Sequence, residues 1–258
     1  MPLPALVAVA ALFGLFWGSF AGVLADRVPS GGDAVRGRSR CDACGALLGV
    51  RDLVPIVSWV VLRGRCRHCA AAVPARWTLI EVVCGVLFAL IAYAIRDTWQ
   101  IVLLAPFSAI LVALTLIDLE HHRLPNAIVY PCVAAAAVFV VVARVSGGDL
   151  DPVSAGIGGL SYGGALLLIA LVSRGGMGIG DVKLAGLIGV VIGAVDLPSV
   201  AVAGAAAILL GGIAGIVALL RGADRRSGLP FGPMLAVGAL VAVFFGPPLA
   251  GAYLGLFA

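Results

Sequence analysis

Two aspartates at the edges of long apolar segments are the residues best suited to do chemistry. Asp118 follows an apolar run, and Asp181 lies in the glycine-rich stretch 175–184 that precedes another. Two carboxylates held close together share one proton. The ionised carboxylate can then take a proton from a water that attacks a peptide carbonyl, while the protonated one donates to the carbonyl oxygen. We therefore predict that Asp118 and Asp181 form the catalytic pair of a membrane-embedded aspartic protease.

Structural interpretations of both aspartates stay open from position alone. Asp181 could be the N-cap of the next helix, and Asp118 could be a solvated residue where a span emerges. Gly178 and Gly180 favour a site, because glycine permits positive φ and close approach of a backbone or a substrate. Lys183 adds an organised charge two residues beyond Asp181. We expect these three residues to shape the loop or bind substrate.

Four cysteines form two CxxC pairs separated by twenty-one residues, Cys41 with Cys44 and Cys66 with Cys69. Each pair can direct two thiolates at one ion, and two pairs complete a tetrahedral site typical of structural zinc. Two disulfides are the alternative, which a reducing cytoplasm disfavours. The remaining cysteines lie in predicted spans, where small apolar packing is the simpler interpretation; they are Cys84 and Cys132.

Other catalytic patterns fit less well. The chain has neither a GxSxG nor an HExxH motif. His121 and His122 are adjacent and would not share a helix face. The run GGMGIG lacks the GxGxxG spacing of a dinucleotide loop.

The composition predicts an all-α polytopic membrane protein. Of 258 residues, 62% are hydrophobic and 12% are charged, whereas a soluble domain has about 45–50% apolar and about 25% charged residues. We predict about eight transmembrane helices, each long enough for most of a bilayer. They span residues 3–25, 78–95, 101–117, 126–145, 156–173, 182–196, 199–220 and 231–257.

A polar segment at 26–77 separates the first span from the rest. It contains nine arginines and four aspartates. We predict three parts: a first helix at 1–25, a small cytoplasmic four-cysteine zinc-binding loop domain at 26–77 and a transmembrane peptidase domain at 78–258. Alternating spans put fifteen basic residues on the side of the loop and only two, Arg96 and Arg144, opposite. The positive-inside rule then predicts an outside N-terminus and both aspartates at the cytoplasmic face.

Several ordered fragments resemble the bacterial type IV prepilin peptidases, which are bifunctional leader peptidases and N-methyltransferases. The stretch 178–181 resembles the family's GxGD signature, and Ile117-Asp118 with Leu124-Pro125 resembles its first-aspartate segment. Gly18-Ser19-Phe20, the CxxC pairs and the block 230–233 extend the resemblance over nearly the whole chain. Asn126 departs from the pattern, since aspartate is common there; we expect helix capping to change more than chemistry.

The resemblance implies the function in detail. Asp118 and Asp181 would cleave a type IV prepilin or a type II secretion pseudopilin after a glycine, at the cytoplasmic face of the inner membrane. The new N-terminal residue would be methylated with S-adenosylmethionine, and Glu81 is a candidate for that site. Partners would be this substrate and the lipid bilayer, with no nucleic acid.

Two other function classes remain as alternatives. An ion- or proton-coupled transporter would use the same aspartates along a through-path. A scaffold would bind pilus-assembly partners through the cysteine loop, and would tolerate loss of both carboxylates.

Overall fold

The computed structural model describes residues 1–32, 37–173, 177–222 and 230–255. Within these ranges the chain is helical, and β pairing is limited to two isolated antiparallel bridges, which confirms the predicted fold class. Four arginines used in the charge prediction, Arg36, Arg174, Arg225 and Arg226, lie outside them. The long helices are α1 Leu3–Arg27, α3 Arg76–Ala94, α4 Thr98–His121, α5 Asn126–Val145, α6 Pro152–Val172, α7 Ile179–Val195, α8 Ser199–Leu220 and α9 Gly232–Leu254.

A helix occupies each of the eight predicted spans. In the described ranges, seven helices are long and apolar enough to cross a membrane. The eighth, α7, has 17 residues, so its axis is about 26 Å long at about 1.5 Å per residue. That length is at the short end of what spans a bilayer. Predicted and observed boundaries differ by up to four residues, at the start of α6 as well as at the end of α4; two of the differences involve the aspartates, because α4 extends past Asp118 and α7 begins before Asp181.

Two compact units make up the chain. The first comprises Met1–Arg96 with Ala105–Ala113, and the second comprises Asp97–Leu104 with Leu114–Ala258. The middle of α4 therefore belongs to the first unit and its two ends to the second. The four cysteines fall in the first unit and both aspartates in the second.

In the first unit, α1 packs against α3 along three glycines spaced four residues apart. A Cβ on Gly14 would lie 2.6 Å from the Cys84 carbonyl oxygen, and one on Gly18 would lie 2.5 Å from the Glu81 Cα. A Cβ on Gly22 would lie 3.2 Å from the Trp77 ring. Small residues at this spacing let two helix backbones approach closely in lipid.

The segment between α1 and α3 has little regular structure. It contains one 3₁₀ turn, Val50–Asp52, and the short helix α2, Val57–Val61. The bridges Arg40–Leu47 and Arg65–Ala72 each close a hairpin-like turn around one CxxC pair. Tight turns and short elements therefore organise the described part of this segment.

In the second unit, α6 packs on α7 and α8 packs on α9. The α6–α7 contact is tightest at Gly158 and Gly189, where a Cβ on either residue would collide with the backbone of the other. On α9, Gly238 lies directly against Ala203 and Ala207 of α8. These contacts set the positions of α7 and α9 along their neighbouring helices. The first turns of α7 and α9 contain Asp181 and Gly232.

Candidate active site and metal centre

Asp118 lies inside the last turn of α4 and is buried, with 5% of its surface exposed. The helix continues to His121, so this carboxylate is not at the point where the chain emerges. The interpretation of Asp118 as a solvated end residue is therefore wrong. A buried carboxylate is retained only where hydrogen-bond donors or other polar groups compensate it.

The N-terminus of α9 supplies such a donor. The Gly232 N–H donates to Oδ2 of Asp118 at 2.9 Å. A Cβ on Gly232 would lie 2.7 Å from the same oxygen, so a larger residue would displace the carboxylate. Unpaired N–H groups in a first helical turn also favour negative charge. The block 230–233 carried no predicted role in the site. The only local signal was its Phe-Gly-Pro sequence, which is compatible with the start of a helix.

Asp181 is the third residue of α7, and the N-cap position belongs to Gly178. The interpretation of Asp181 as the N-cap is therefore wrong. Its carboxylate instead accepts a hydrogen bond from the Gly178 N–H, in the manner of the third-position acid of a capping box. A Cβ on Gly178 would lie 3.3 Å from Oδ2 of Asp181. The side chain is half-buried.

The segments that carry the two aspartates adjoin each other. The Asp118 charge acts electrostatically on the Asp181 carboxyl. A Cβ on Gly180 would lie 3.0 Å from Cβ of Leu124, so the start of α7 lies against the turn that follows α4. Lys183 Nζ donates to Oδ1 of Asn126 at 2.8 Å. This contact between α7 and α5 was not predicted from the sequence.

The predicted roles of the loop-shaping residues change accordingly. Gly178 has an ordinary φ of −72°, and Gly180 is helical, so neither uses a positive φ. Their contribution is space beside Asp181 and Leu124. Gly175 and Gly176 of the same stretch lie outside the described residues.

Asn126 also differs from its expected role. It is the first residue of α5, whose N-cap position belongs to Pro125. Its side chain accepts from Lys183 rather than capping the helix. The ammonium of Lys183 also lies 5.3 Å from the centre of the Tyr130 ring. Lys183 therefore joins the N-terminal ends of α7 and α5, and the expectation that Asn126 acts in capping is wrong.

Both histidines are exposed at the end of α4. His122 has a left-handed backbone with φ of 49° and ends the helix, and its N–H donates to the Asp118 carbonyl oxygen. The two imidazoles are thus at a helix terminus, and the His122 charge acts electrostatically on the Asp118 carboxyl.

The four predicted metal ligands converge. The Sγ atoms of Cys41, Cys44, Cys66 and Cys69 all lie within 4.8 Å of one another. Cys41 Sγ and Cys69 Sγ are 3.8 Å apart, which equals the edge of about 3.8 Å expected for tetrahedral sulfurs about 2.3 Å from zinc. All six cysteines are free thiols, so the disulfide alternative is not realised.

The two CxxC turns have the same geometry. In each, the first cysteine accepts at its carbonyl oxygen from the residue after the second cysteine: Gly45 bonds to Cys41, and Ala70 bonds to Cys66. Both donors have positive φ, 70° for Gly45 and 58° for Ala70. The chain thus builds two matching turns that together offer four sulfurs, and these residues fit a tetrahedral metal ion.

The thiols have divergent pKa values. Hydrogen bonds from the Cys69 and His68 backbone N–H groups lower the pKa of Cys66 to about 6. The Ala71 N–H bond lowers the pKa of Cys69, but desolvation and the surrounding thiols raise it to about 11. Four thiolates this close repel one another, and a bound cation removes that repulsion.

Glu81 lies one and a half turns into α3, half-buried. Its Oε2 accepts from the Ile56 N–H at 2.8 Å, and its carboxylate also accepts from Ser19. Its partners are thus a backbone N–H of the cysteine loop and a hydroxyl group of α1. Glu81 lines a cavity of about 360 Å³ in the first unit.

Comparison with known proteins identifies the family. The family model described as "Bacterial Peptidase A24 N-terminal domain" matches residues 12–95, and "Type IV leader peptidase family" matches residues 105–220. A protein of Aeromonas salmonicida named prepilin leader peptidase/N-methyltransferase is 32% identical over 84% of this chain and 74% of its own length. The chain belongs to the type IV leader peptidase family.

Two further relatives of the same name extend this match. One from Bacillus subtilis is 29% identical over 94% of this chain and 96% of its own length. One from Burkholderia pseudomallei is 34% identical over 82% and 68%. No solved structure matches the chain significantly. The family and the seven apolar helices indicate a multi-pass inner-membrane protein, and nothing in them supports the transporter alternative.

Proposed function

We propose that this protein is a membrane-embedded aspartic endopeptidase and N-methyltransferase that processes type IV prepilins or pseudopilins. Membership of a peptidase family and the names of the relatives support both activities. The observation that supports the active-site assignment is the juxtaposition of two carboxylates, Asp118 and Asp181, at adjoining helix ends. Both lie in the segment matched by the peptidase family model.

The proposed reaction needs no covalent intermediate. One carboxylate is ionised and takes a proton from a water held between the pair, and that water attacks the scissile carbonyl. The other carboxylate is protonated and donates to the carbonyl oxygen, and a proton then passes to the leaving amine. The pair titrates as a unit, so the roles are assigned to the pair rather than to either residue.

The Gly232 N–H keeps one lone pair of Asp118 occupied and fixes the orientation of that carboxylate. Asp181 is oriented in turn by the Gly178 N–H. Each aspartate thus has one backbone donor from a helix start, and its remaining carboxylate oxygen is available for the shared proton or the water. This preorganisation is what electrostatic catalysis requires.

The substrate chemistry follows from charge and apolarity. A short basic leader would be attracted to the acidic pair, while the following apolar segment of the substrate stays in lipid beside the helices. We propose that cleavage follows a glycine at the cytoplasmic face. The orientation rests on the charge asymmetry between alternate loops.

The methyltransferase activity would use S-adenosylmethionine, and the four cysteines would hold zinc as a structural ion. When bound, the donor supplies a methyl group to a neutral amine: the N–C bond forms as the C–S bond breaks with its electron pair left on sulfur, and a proton passes to water. A closed four-thiolate site has no open position for catalysis. We therefore propose that the metal stabilises the folded structure of the loop.

The peptidase assignment is tested by cleavage of a model prepilin in membranes that contain Asp118→Asn or Asp181→Asn protein. Each change preserves shape and removes the acid–base function, so each should lower kcat by about 10²–10⁴-fold or more. Asp149→Asn is the matched control, because Asp149 is an exposed aspartate of the same unit. Near-normal cleavage by either mutant, at normal insertion levels, would refute the pair.

A further inference from the structure

The short helix α2 of the cysteine loop has an apolar face that the rest of the described chain leaves exposed. Val57, Val60 and Val61 are spaced so that they lie on one side of the helix. Each of these three residues, together called the valine face, is 56–69% exposed. Val50, which is 85% exposed, belongs to the 3₁₀ turn that packs on α2. Grouped apolar residues at a surface indicate contact with a protein or with a membrane.

The orientation of α2 is fixed by its opposite side. Trp59 Nε1 donates to the Val73 carbonyl oxygen at 3.1 Å. A Cβ on Gly64 would lie 2.9 Å from the Trp59 ring, so the glycine backbone packs directly against the indole. Ser58 and Trp59 line the cavity of the first unit, whereas no residue of the valine face lines it. The helix therefore cannot rotate to bury its valines without breaking these contacts.

The start of α3 gives the level of the membrane surface in this unit. This helix has 19 residues, which is about 28 Å at about 1.5 Å per residue and matches the hydrocarbon core of about 30 Å. Arg76, its first residue, must then lie close to the surface. The Arg76 guanidinium lies 4.3 Å from the centre of the Trp77 ring. Arginine and tryptophan are both typical of the layer where a helix meets the head groups.

A hydrogen bond holds α2 below that level. The Ile56 N–H donates to Oε2 of Glu81 at 2.8 Å, and α2 begins at the residue after Ile56. Glu81 is five residues further into α3 than Arg76, which is about 7–8 Å deeper along the axis. Leu79, between them, is 62% exposed and faces lipid in a helix of this kind. The loop thus returns to the depth of the first turns of α3.

Basic residues flank the valine face on both sides along the chain. Arg51 lies in the 3₁₀ turn beside Val50, and Arg63 follows α2 directly; both are exposed. Within the residues that the structure describes, neither has a hydrogen bond or an ion pair. Anionic head groups attract basic side chains near a bilayer surface. Arginine can cover apolar surface with its aliphatic part while its charge stays among the head groups.

We propose that α2 is a membrane anchor of the cysteine loop, whose valine face enters the adjacent lipid leaflet while Arg51 and Arg63 contact anionic phospholipid head groups. Depth, apolarity and charge agree on this partner. Amphipathic helices at a bilayer surface bury their apolar face about 5–10 Å below the head groups, which is the depth that the Ile56–Glu81 bond imposes. The anchor is independent of both proposed activities and holds the loop against the membrane.

The test is photo-crosslinking of the full-length, zinc-loaded protein in nanodiscs of phosphatidylcholine and phosphatidylglycerol. p-Benzoylphenylalanine is placed singly at Val60 or Val61, with Leu79 as the lipid-facing reference and Trp59 as the control on the opposite side of α2. Mass spectrometry counts lipid adducts on each variant, and zinc content and melting temperature verify folding. Lipid adducts at Val60 and Val61 should be comparable to those at Leu79 and about five-fold or more above those at Trp59.

The results either support or overturn the anchor. An excess of lipid adducts at the two valine positions over Trp59 supports it. Absence of lipid adducts there, while Leu79 is labelled, overturns it, and so does an equal yield at Trp59. Crosslinks that join two copies of the chain through Val60 or Val61 also overturn it, because the valine face would then be a protein interface.

The role of the two arginines is tested in the same nanodiscs. Phosphatidylglycerol should form a larger share of the adducts at Val61 than at Leu79, because Arg51 and Arg63 concentrate anionic lipid beside α2. Arg51→Gln combined with Arg63→Gln should remove this excess. Arg96→Gln is the control, since Arg96 is exposed in the same unit beyond the far end of α3. Equal shares at the two positions before substitution would overturn the contact with anionic head groups.

Discussion

At the scale of single residues, the candidate peptidase site depends on backbone groups as much as on side chains. Asp118 and Asp181 each accept from an N–H group near a helix start, and glycine occupies both donor positions. Gly232 is the more constrained of the two, since its missing side chain leaves the space that Oδ2 of Asp118 occupies. The acids alone therefore do not define the site.

Gly232→Ala should reduce leader cleavage strongly. The added Cβ would lie 2.7 Å from Oδ2 of Asp118 and must displace the carboxylate, and a misplacement of about 1 Å can lower kcat by about 10²-fold. Gly251→Ala on the same helix is the control, because nothing lies within 4 Å of its added Cβ. The measurement is cleavage of a model prepilin in membranes, and equal rates for the two variants would contradict the importance of this contact.

Ala70→Gly should stabilise the metal-binding loop. Ala70 has φ of 58° where the matching turn has Gly45, and a left-handed conformation costs a non-glycine residue about 1–2 kcal/mol. We expect a higher concentration of chelator to be needed for half-removal of the metal. Ala71→Gly is the control, since its φ is not positive; a similar gain there would show that the effect is not conformational.

Much of the residue-level chemistry could be predicted from spacing. Two CxxC pairs predicted a cluster of sulfurs, and the structure brings all four together. The partners of the aspartates could not be predicted, because the Gly232 donor is 114 positions away from Asp118. Likewise, nothing local to Asn126 indicates that Lys183 will bind its side-chain oxygen. Contacts across the fold depend on how helices pack, which motifs do not encode.

At the scale of elements, glycine contacts determine how closely the helices approach. The α1–α3 pair meets along Gly14, Gly18 and Gly22, and the α6–α7 pair meets at Gly158 and Gly189. In lipid there is little hydrophobic drive for helices to associate, so backbone approach and van der Waals packing carry the contact. Many of the 35 glycines of this chain are therefore packing residues.

Gly158→Ala should destabilise the second unit and lower cleavage, because the added Cβ would collide with the Gly189 backbone and push α7 away. Overpacking of this kind costs about 1–3 kcal/mol. Gly164→Ala on the same helix meets nothing within 4 Å and should be neutral or stabilising. Thermal unfolding in detergent measures the difference in stability between the two variants. Equal melting temperatures would contradict the importance of the contact between Gly158 and Gly189.

The helices themselves were predictable, and their ends were less so. Apolar length predicted all eight long helices, and residues 126–145 and 199–220 match without change. At Asp118 and Asp181 the predicted spans stopped short, because charged residues end an apolar run in sequence but do not end a helix. The hydrogen bonds of α4 and α7 continue through these residues, which places both carboxylates inside helical turns.

At the scale of the whole molecule, the number of crossings determines the side on which each terminus lies. Eight crossings return the C-terminus to the side of the N-terminus, whereas seven place the termini on opposite faces. The helix that decides is α7, with 17 residues. The charge asymmetry between alternate loops favours eight.

A C-terminal alkaline phosphatase fusion should therefore be active in the periplasm, and a C-terminal green fluorescent protein fusion should be dark. Both outcomes follow if the N-terminus is outside and α7 crosses the bilayer. A fusion placed in the loop 26–77 should behave in the opposite way. A fluorescent C-terminal fusion would contradict eight crossings.

Metal removal should separate the two proposed activities. The cysteine cluster and Glu81, the candidate residue for methyl transfer, lie in the first unit, whereas Asp118 and Asp181 lie in the second. Chelation should abolish binding of S-adenosylhomocysteine and leave most cleavage of a model prepilin, and restored zinc should restore binding. Loss of cleavage in parallel with loss of metal would show that the loop also supports the peptidase.

The hydrogen bond between Gly232 and Asp118 also determines when the site can be completed during synthesis. Asp118 and Asp181 leave the ribosome well before Gly232, which begins α9. Until that helix is made and inserted, the buried carboxylate of Asp118 lacks its backbone donor. A nascent chain that already has both acids is therefore not yet a protease, and the site becomes complete only once α9 has been made and inserted.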